Sequence, residues 1–253
     1  MPDRYPVSVD TRAPRGETNA YVLADAVLVD PAGRTPALDA AAESVDHVAV
    51  THAHPDHVGA VAAYARDSDA TVWAHAAFAD RFERETGVAP DRVFRPGDRI
   101  GDTGVAVLGT PGHAPDHVAF AAGGEAVVGD LAFADGSVFV GDRDGDLRAY
   151  LCSLRRLALR EFEYIHPGHG PRIDAPRGRL HELYFHRRDR ERRVLAAVAD
   201  GRETVDGILE HAYDKDLAGV RDLAASAVRA HLEKLAVEGR VTWDGDRATP
   251  GNP

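Results

Sequence analysis

Thr51-His52-Ala53-His54-Pro55-Asp56-His57 places three histidines and a carboxylate within six residues. Imidazole nitrogen and carboxylate oxygen both bind metals, yet neither a single helix nor a single strand turns all four side chains to one side at this spacing. A strand that ends at Thr51, breaks into a turn and yields to a helix beginning near His57 can do so. Val48-Ala49-Val50 supplies the apolar strand, and Val58, Val61, Ala62 and Ala65 supply the inward face of the helix. The segment reads as a metal site at a strand-to-helix junction with ligands enough for two ions. A donor set without thiolate favours zinc, with manganese or iron as substitutes. The competing reading is a histidine-rich surface loop.

Three later segments argue against that loop. Thr110-Pro111-Gly112-His113, Val128-Gly129-Asp130 and Pro167-Gly168-His169-Gly170 each follow an apolar run and each offer one ligand. Strands that deliver His113, Asp130 and His169 at their ends, with glycine letting the backbone turn beside them, would bring seven ligands to one place.

The elements that must position these residues alternate strand and helix. A hairpin is expected over 19–23 and 26–29, closed by Pro31-Ala32-Gly33, then a helix over 36–44 and a strand over 47–50. A strand over 71–74, a helix over 76–86, a helix over 147–159 and a strand over 162–165 follow. This pattern predicts an α/β fold of two sheets packed face to face with helices outside. A boundary is expected at Asp174-Ala175-Pro176, giving domains over 1–175 and 176–253. The second begins with a long helix over 180–199, preceded and lined by Arg177, Arg179, Arg187, Arg188, Arg190, Arg192 and Arg193. Thr204 is placed to cap a helix running to about residue 213. Val220, Leu223, Ala224, Ala227, Val228, His231 and Leu235 form the apolar stripe of another helix, ended by Gly239. A hairpin turning tightly at Asp244-Gly245 completes a small winged-helix-like module.

Composition narrows the possible partners. The 253 residues, 44% of them hydrophobic, suffice for one large and one small core. Residues 1–6 lack the apolar stretch of a secretory leader, and no run approaches a membrane span. The single cysteine, Cys152, cannot form an intramolecular disulfide; it fits a reducing cytoplasm and is expected to be buried packing in its helix. Forty-one acids face thirty bases, of which only Lys215 and Lys234 are lysine, and aspartate outnumbers glutamate about two to one. Such an acidic, lysine-poor surface suits a protein living in high salt, where screening removes self-repulsion; the competing reading is a GC-rich genome that prefers arginine to lysine. Residues 201–253 carry seven bases against ten acids, among them the bases Lys215, Arg221 and Arg229, which does not make the basic stripe that duplex DNA needs. A packing or homodimer role is expected for this module, and the arginine-rich helix is the better place to look for phosphate contacts.

His-x-His-x-Asp-His, followed by Gly-His, Gly-Asp and Pro-Gly-His, resembles the metallo-β-lactamase fold superfamily in its glyoxalase II-like form, over roughly residues 17 to 172. The resemblance implies a four-layer αβ/βα sandwich. It also implies that His52, His54 and His113 hold one metal, that Asp56, His57 and His169 hold the second, and that Asp130 bridges them. Redox-active di-iron relatives usually carry glutamate where this chain has His54, which favours hydrolysis over oxygen chemistry. Gly112-His113-Ala114-Pro115-Asp116-His117, Tyr150-Leu151-Cys152-Ser153-Leu154, Pro167-Gly168-His169-Gly170-Pro171 and His186-Arg187-Arg188 look like the lactamase-beta-2-like branch. That branch is associated with single-stranded RNA cleavage, while many members are generic hydrolases. The helical C-terminal region with which glyoxalase II binds glutathione has no counterpart here.

These readings converge on a hydrolase. Two divalent ions held together lower the pKa of bound water, and Asp56 would both hold the second ion and orient the resulting hydroxide. A small ester, thioester or lactone is the first expectation for substrate, single-stranded RNA the second, and a non-catalytic metal-stabilised interaction protein the third. His117 and His186 are expected near the site as supporting or substrate-contacting groups. His47, His75, His166, His181, His211 and His231 are expected on the surface or satisfied in the core.

Overall fold

Apolar side chains alternate along the strands between two different cores, and this alternation defines the layers. In the computed structural model, which describes residues 1–214 and 217–251, strands β1 (Asp3–Ser8), β2 (Glu17–Leu23), β3 (Val27–Val29), β4 (His47–Ala49), β5 (Thr71–His75) and β6 (Arg92–Phe94) form one sheet in that order. The first three strands pair antiparallel and the remaining pairs are parallel. Strands β7 (Ala106–Gly109), β8 (Val118–Ala122), β9 (Glu125–Gly129) and β10 (Tyr164–Pro167) form the second sheet, ordered β10-β9-β8-β7. Lys215, one of the two lysines, lies outside the described residues.

Tyr21, Leu23, Val27 and Val29 of the first sheet meet Val107, Val118, Phe120 and Val127 of the second in a shared inner core. Their sequence neighbours Val22, Leu28 and Val48 point the other way, against helices α1 (Pro36–Ala42) and α3 (Val61–Asp67). Ala119, Ala126 and Val128 likewise face outward onto α5 (Leu147–Ala158) and the first half of α6 (Pro176–Ala199). A period of two thus serves two interfaces at once, as face-to-face sheets covered by helices require. The inner core is closed by Phe94 against Phe120, edge-to-face at 5.8 Å between ring centres.

Helix α6 belongs to two cores. Leu180 and Leu183 pack on α5, whereas Val194, Ala197 and Val198 enter a separate cluster with α7 (Val205–Ala212), α8 (Arg221–Val237) and the hairpin β11 (Val241–Trp243) and β12 (Ala248–Pro250). The expected division at 175/176 coincides with the first residue of this helix. Buried Lys234 of α8 meets buried Glu191 of α6 at 2.6 Å, and Arg188 reaches the same carboxylate at 2.6 Å. Removing one partner of such a pair leaves an uncompensated charge and costs roughly 3–5 kcal/mol.

Several elements differ from the sequence reading. Strands β1, β6 and β8 were not expected: β1 and β6 are edge strands with mostly exposed side chains, and β8 lies in the ligand-bearing stretch between His113 and Asp130. The 76–86 helix is a 3-10 turn, Ala76–Phe78, followed by α4 (Ala79–Thr86). The expected two-residue turn of the last hairpin is a four-residue one. Asp244 Oδ1 accepts from the backbone of Asp246 and Arg247, widening it. Cys152 is exposed rather than buried, because it falls on the outer face of α5 while Leu151, Ser153 and Leu154 face in. His231 is buried as expected but not satisfied: neither ring nitrogen has a hydrogen-bond partner among the described residues. Among those residues no helix is long and apolar enough to cross a membrane.

Candidate metal centre

The turn after β4 is held open by a carboxylate the sequence reading passed over. Asp30, fully buried just beyond β3 at φ 52°, accepts from Thr51 N at 2.6 Å and from Thr51 Oγ1 at 2.7 Å. Asp116 Oδ2 accepts from Ala53 N at 2.8 Å. Pinned at both points, the turn reaches His54 in extended backbone. Pro55 then opens α2 (Pro55–Val58), which carries Asp56 and His57 in its single turn before breaking at Gly59-Ala60 into α3. The helix therefore begins two residues earlier than expected and is interrupted; Tyr64 joins Val58 and Val61 on its buried side while Ala62 and Ala65 are half-buried.

Each of five histidines spends one ring nitrogen on an acceptor and turns the other inward. His57 Nδ1 lies 3.0 Å from Asp30 Oδ2, His113 Nδ1 2.7 Å from Phe139 O, and His169 Nδ1 2.7 Å from Glu17 O. His54 Nε2 lies 3.0 Å from Asp144 Oδ2. His52 Nδ1 lies 3.0 Å from Thr51 Oγ1, whose only proton is committed to Asp30, so His52 donates there. In the neutral ring the remaining nitrogens are lone-pair acceptors, and they aim at one another and at carboxylates. His113 Nε2 faces His54 Nδ1 at 3.0 Å; His57 Nε2 and His169 Nε2 lie 3.5 and 3.4 Å from Asp130 Oδ1. His113 Nε2 is 3.6 Å from Asp130 Oδ2, and His169 Nε2 is 3.7 Å from Asp56 Oδ2.

Such an array fits divalent cations. His52 Nε2, His57 Nε2, His169 Nε2 and Asp130 Oδ1 are buried with no hydrogen-bond partner, and an unmet buried polar atom costs roughly 1–3 kcal/mol. Ligand atoms of His52, His54 and His113 lie within 4.8 Å of one another, as do those of His52, His57 and Asp130 and those of Asp56, His57 and His169. Burial and the neighbouring imidazoles hold His52 well below the ordinary histidine range. Burial opposes ionisation of Asp130, but the facing histidines outweigh it and hold its carboxyl well below the usual range. Glycine makes the convergence possible: a Cβ on Gly168 would stand 2.6 Å from Asp130 Oδ1 and 2.7 Å from His57 Cε1.

His117 is buried beside His52 without joining the inward set. Its Nε2 accepts from Asp130 N at 3.1 Å, its Nδ1 meets Thr110 Oγ1 at 2.9 Å, and burial lowers it to about 3. It is a neutral strut that fixes the backbone of Asp130. His186 does not approach the site: it is exposed on α6 and lines a separate hollow with Asp189, Arg190, Arg193 and Asp214, because the inward face at that level is occupied by Arg187. Sequence reasoning missed Asp30, Arg81, Asp144 and Thr11, whose Oγ1 donates to Asp56 Oδ2 at 2.6 Å. Val29-Asp30-Pro31 did carry a signal, an acid directly after an apolar strand, as in Val128-Gly129-Asp130.

The inward set opens into a cleft of about 570 Å³, bounded by residues 10–13, residues 133–139 and Leu223 of α8. The superfamily profile described as Metallo-beta-lactamase superfamily matches residues 13–169. The chain belongs to the metallo-beta-lactamase superfamily. The chain combines this hydrolase-type fold with a His/Asp metal-binding cluster. It is 26% identical over 202 residues to the Beta-lactamase-like protein 2 homolog of Caenorhabditis elegans, covering 78% of this chain and 67% of the relative. It is 33% identical over 165 residues to a protein of Emericella nidulans named Thioesterase pkgB, covering 62% of this chain and 43% of that protein. The crystal structure of a metallo-beta-lactamase family protein from Thermus thermophilus superposes with a TM-score of 0.76 at 27% identity, covering 98% of both chains.

Proposed function

We propose that the chain is a dinuclear, zinc-dependent hydrolase of small esters, thioesters or lactones. The observation that carries this reading is the cleft. Its wall beside the inward histidines is built from Ala13, Pro55, Phe133, Phe139 and Leu223, while Arg12 is its single cation against Asp10 and Asp135. An apolar, acid-flanked slot favours a neutral acyl group over a polyphosphate strand. The arginines of α6 point the same way, since they are largely engaged within the molecule. Arg187 donates to Val138 O, Arg190 stacks 3.4 Å from the centre of the Tyr213 ring, and Arg193 pairs with Asp189 and Asp214. A thioesterase among the similar proteins adds to the case.

In this reading His52, His54 and His113 hold one ion, Asp56, His57 and His169 hold the other, and Asp130 lies between. The ions would supply Lewis acidity and a hydroxide nucleophile at neutral pH. Asp56, fixed by Thr11, orients the nucleophile, and Asp130, ionised and braced by His117, keeps the two ligand sets in register. The apolar wall excludes water from the acyl group. The unit beyond residue 200 serves packing in this reading, as a winged-helix-like module, and its acidic balance disfavours duplex DNA.

Turnover of a panel of acyl esters, acyl thioesters and lactones by zinc-loaded protein in molar KCl tests the proposal, beside an end-labelled single-stranded RNA and with His57→Ala as control. Hydrolysis of the small substrates, lost in His57→Ala, is expected. Cleavage of the RNA alone, also lost in His57→Ala, would replace this reading with a ribonuclease.

A further inference from the structure

Three of the five inward histidines lean on strand ends of the sandwich, through Thr51, Asp30 and the carbonyl of Glu17, and His113 leans on the carbonyl of Phe139 just before the 141–146 loop. His54 differs. Its acceptor, Asp144, sits in the acidic loop 141–146, and this loop is built onto the C-terminal unit.

Arg81 and Ser226 fix the loop from two sides. Arg81 of α4 grips Asp144 with both terminal nitrogens, Nη1 to Oδ1 at 2.8 Å and Nη2 to Oδ2 at 2.5 Å. The same guanidinium places Nε 3.5 Å from Asp116 Oδ1, and Asp116 holds Ala53 N through its other oxygen. Arg81 therefore ties together two carboxylates that flank the 52–54 turn. On the other side, Asp142 is locked reciprocally to Ser226 of α8: Ser226 Oγ donates to Asp142 Oδ1 at 2.5 Å and accepts from Asp142 N at 3.2 Å. A Cβ on Gly141 would stand 2.3 Å from Ser226 Oγ, so only glycine lets α8 approach this closely.

We propose that the C-terminal unit is part of the metal-binding machinery: through Ser226 and Asp142 it positions Asp144, which with Arg81 orients His54. This rests on the reading of His54 as a ligand. A histidine whose far nitrogen is fixed by a carboxylate presents one tautomer and one ring angle to the metal, and loss of such a partner typically weakens affinity about 10- to 100-fold. A bidentate arginine clamp is not replaceable by lysine, which offers charge without the planar fork. Ser226 and Asp142 act only through the loop, so their effect is contained within that of Asp144.

The test is zinc affinity of the full chain by competition with a chromophoric chelator, with the cobalt(II) absorption spectrum as a reporter of ligand geometry. Asp144→Asn and Arg81→Met are each expected to lose about 10- to 100-fold at one of two sites and to alter the cobalt spectrum. Arg81→Lys, which keeps the charge and guards against misfolding, falls between them and wild type. Ser226→Val weakens binding several-fold in the wild-type background and adds nothing to Asp144→Asn. Wild-type affinity in folded Asp144→Asn and Arg81→Met, with loss in His54→Ala, overturns the clamp. Additivity of Ser226→Val with Asp144→Asn overturns the link to α8. Unchanged affinity in His54→Ala overturns the ligand assignment beneath both.

Discussion

Replacing Asp30 by asparagine should damage the site without replacing any residue of the inward set. Asp30 is fully buried and accepts three hydrogen bonds, two from Thr51 and one from His57. The amide of asparagine has one oxygen for these donors and presents N–H groups where the second carboxylate oxygen stood. If the oxygen keeps Thr51 N, the amide N–H confronts His57 Nδ1, which can then serve only as an acceptor. The ring proton moves to Nε2, the atom aimed at Asp130. One charge-assisted hydrogen bond is lost, worth roughly 1.5–3 kcal/mol, and a donor is left imperfectly met, at roughly 1–3 kcal/mol. A central value of about 4 kcal/mol for the two together corresponds to a fall in Tm of about 8–16 °C for a chain of this size. Differential scanning calorimetry of the metal-free protein isolates this packing effect, and zinc titration of the same samples should show weakened binding at the site that includes His57. A Tm within about 2 °C of wild type together with unchanged zinc affinity would refute the hub role of Asp30.

Other outcomes follow from the same geometry. Chelation should destabilise the protein strongly: zinc at about 1,000 times its Kd contributes about 4 kcal/mol, so stripped and loaded samples should differ by about 8–16 °C in thermal unfolding. Phe120→Ala opens a cavity between the sheets opposite Phe94 and should cost about 3–5 kcal/mol in denaturant titration. Leu223→Asp places a charge in the apolar wall of the cleft. It should lower kcat/KM for long-chain acyl esters about 10-fold relative to acetyl esters, read from a chain-length series, with Tm little changed.

The layers and the seven inward residues were legible because both rest on local pattern. Strand alternation marks sheet faces, and a ligand directly after an apolar run marks a strand end, as for His113, Asp130 and His169. What escaped depends on contacts between distant segments. Asp144 becomes the partner of His54 only because Arg81, sixty-three residues away, draws the loop in. Cys152 was misjudged because an apolar helix segment does not announce which of its residues lies on the outer face. His186 was expected to meet the site from α6, but the helical phase turns Arg187 inward instead. The 76–86 segment divided because Phe78, at ψ 24°, leaves α geometry between the two turns. Strand β8 hid between two ligand signals, where Val118–Ala122 is apolar on both faces and lacks the alternation that marks a half-exposed strand.

The most direct test of the metal centre is a crystal structure of the zinc-loaded full chain with anomalous data collected on both sides of the zinc edge. Two adjacent peaks are expected, one reached by His52, His54 and His113 and one by Asp56, His57 and His169, with Asp130 between them. A single peak, or zinc bound away from these residues, would contradict the dinuclear site on which the hydrolytic reading stands.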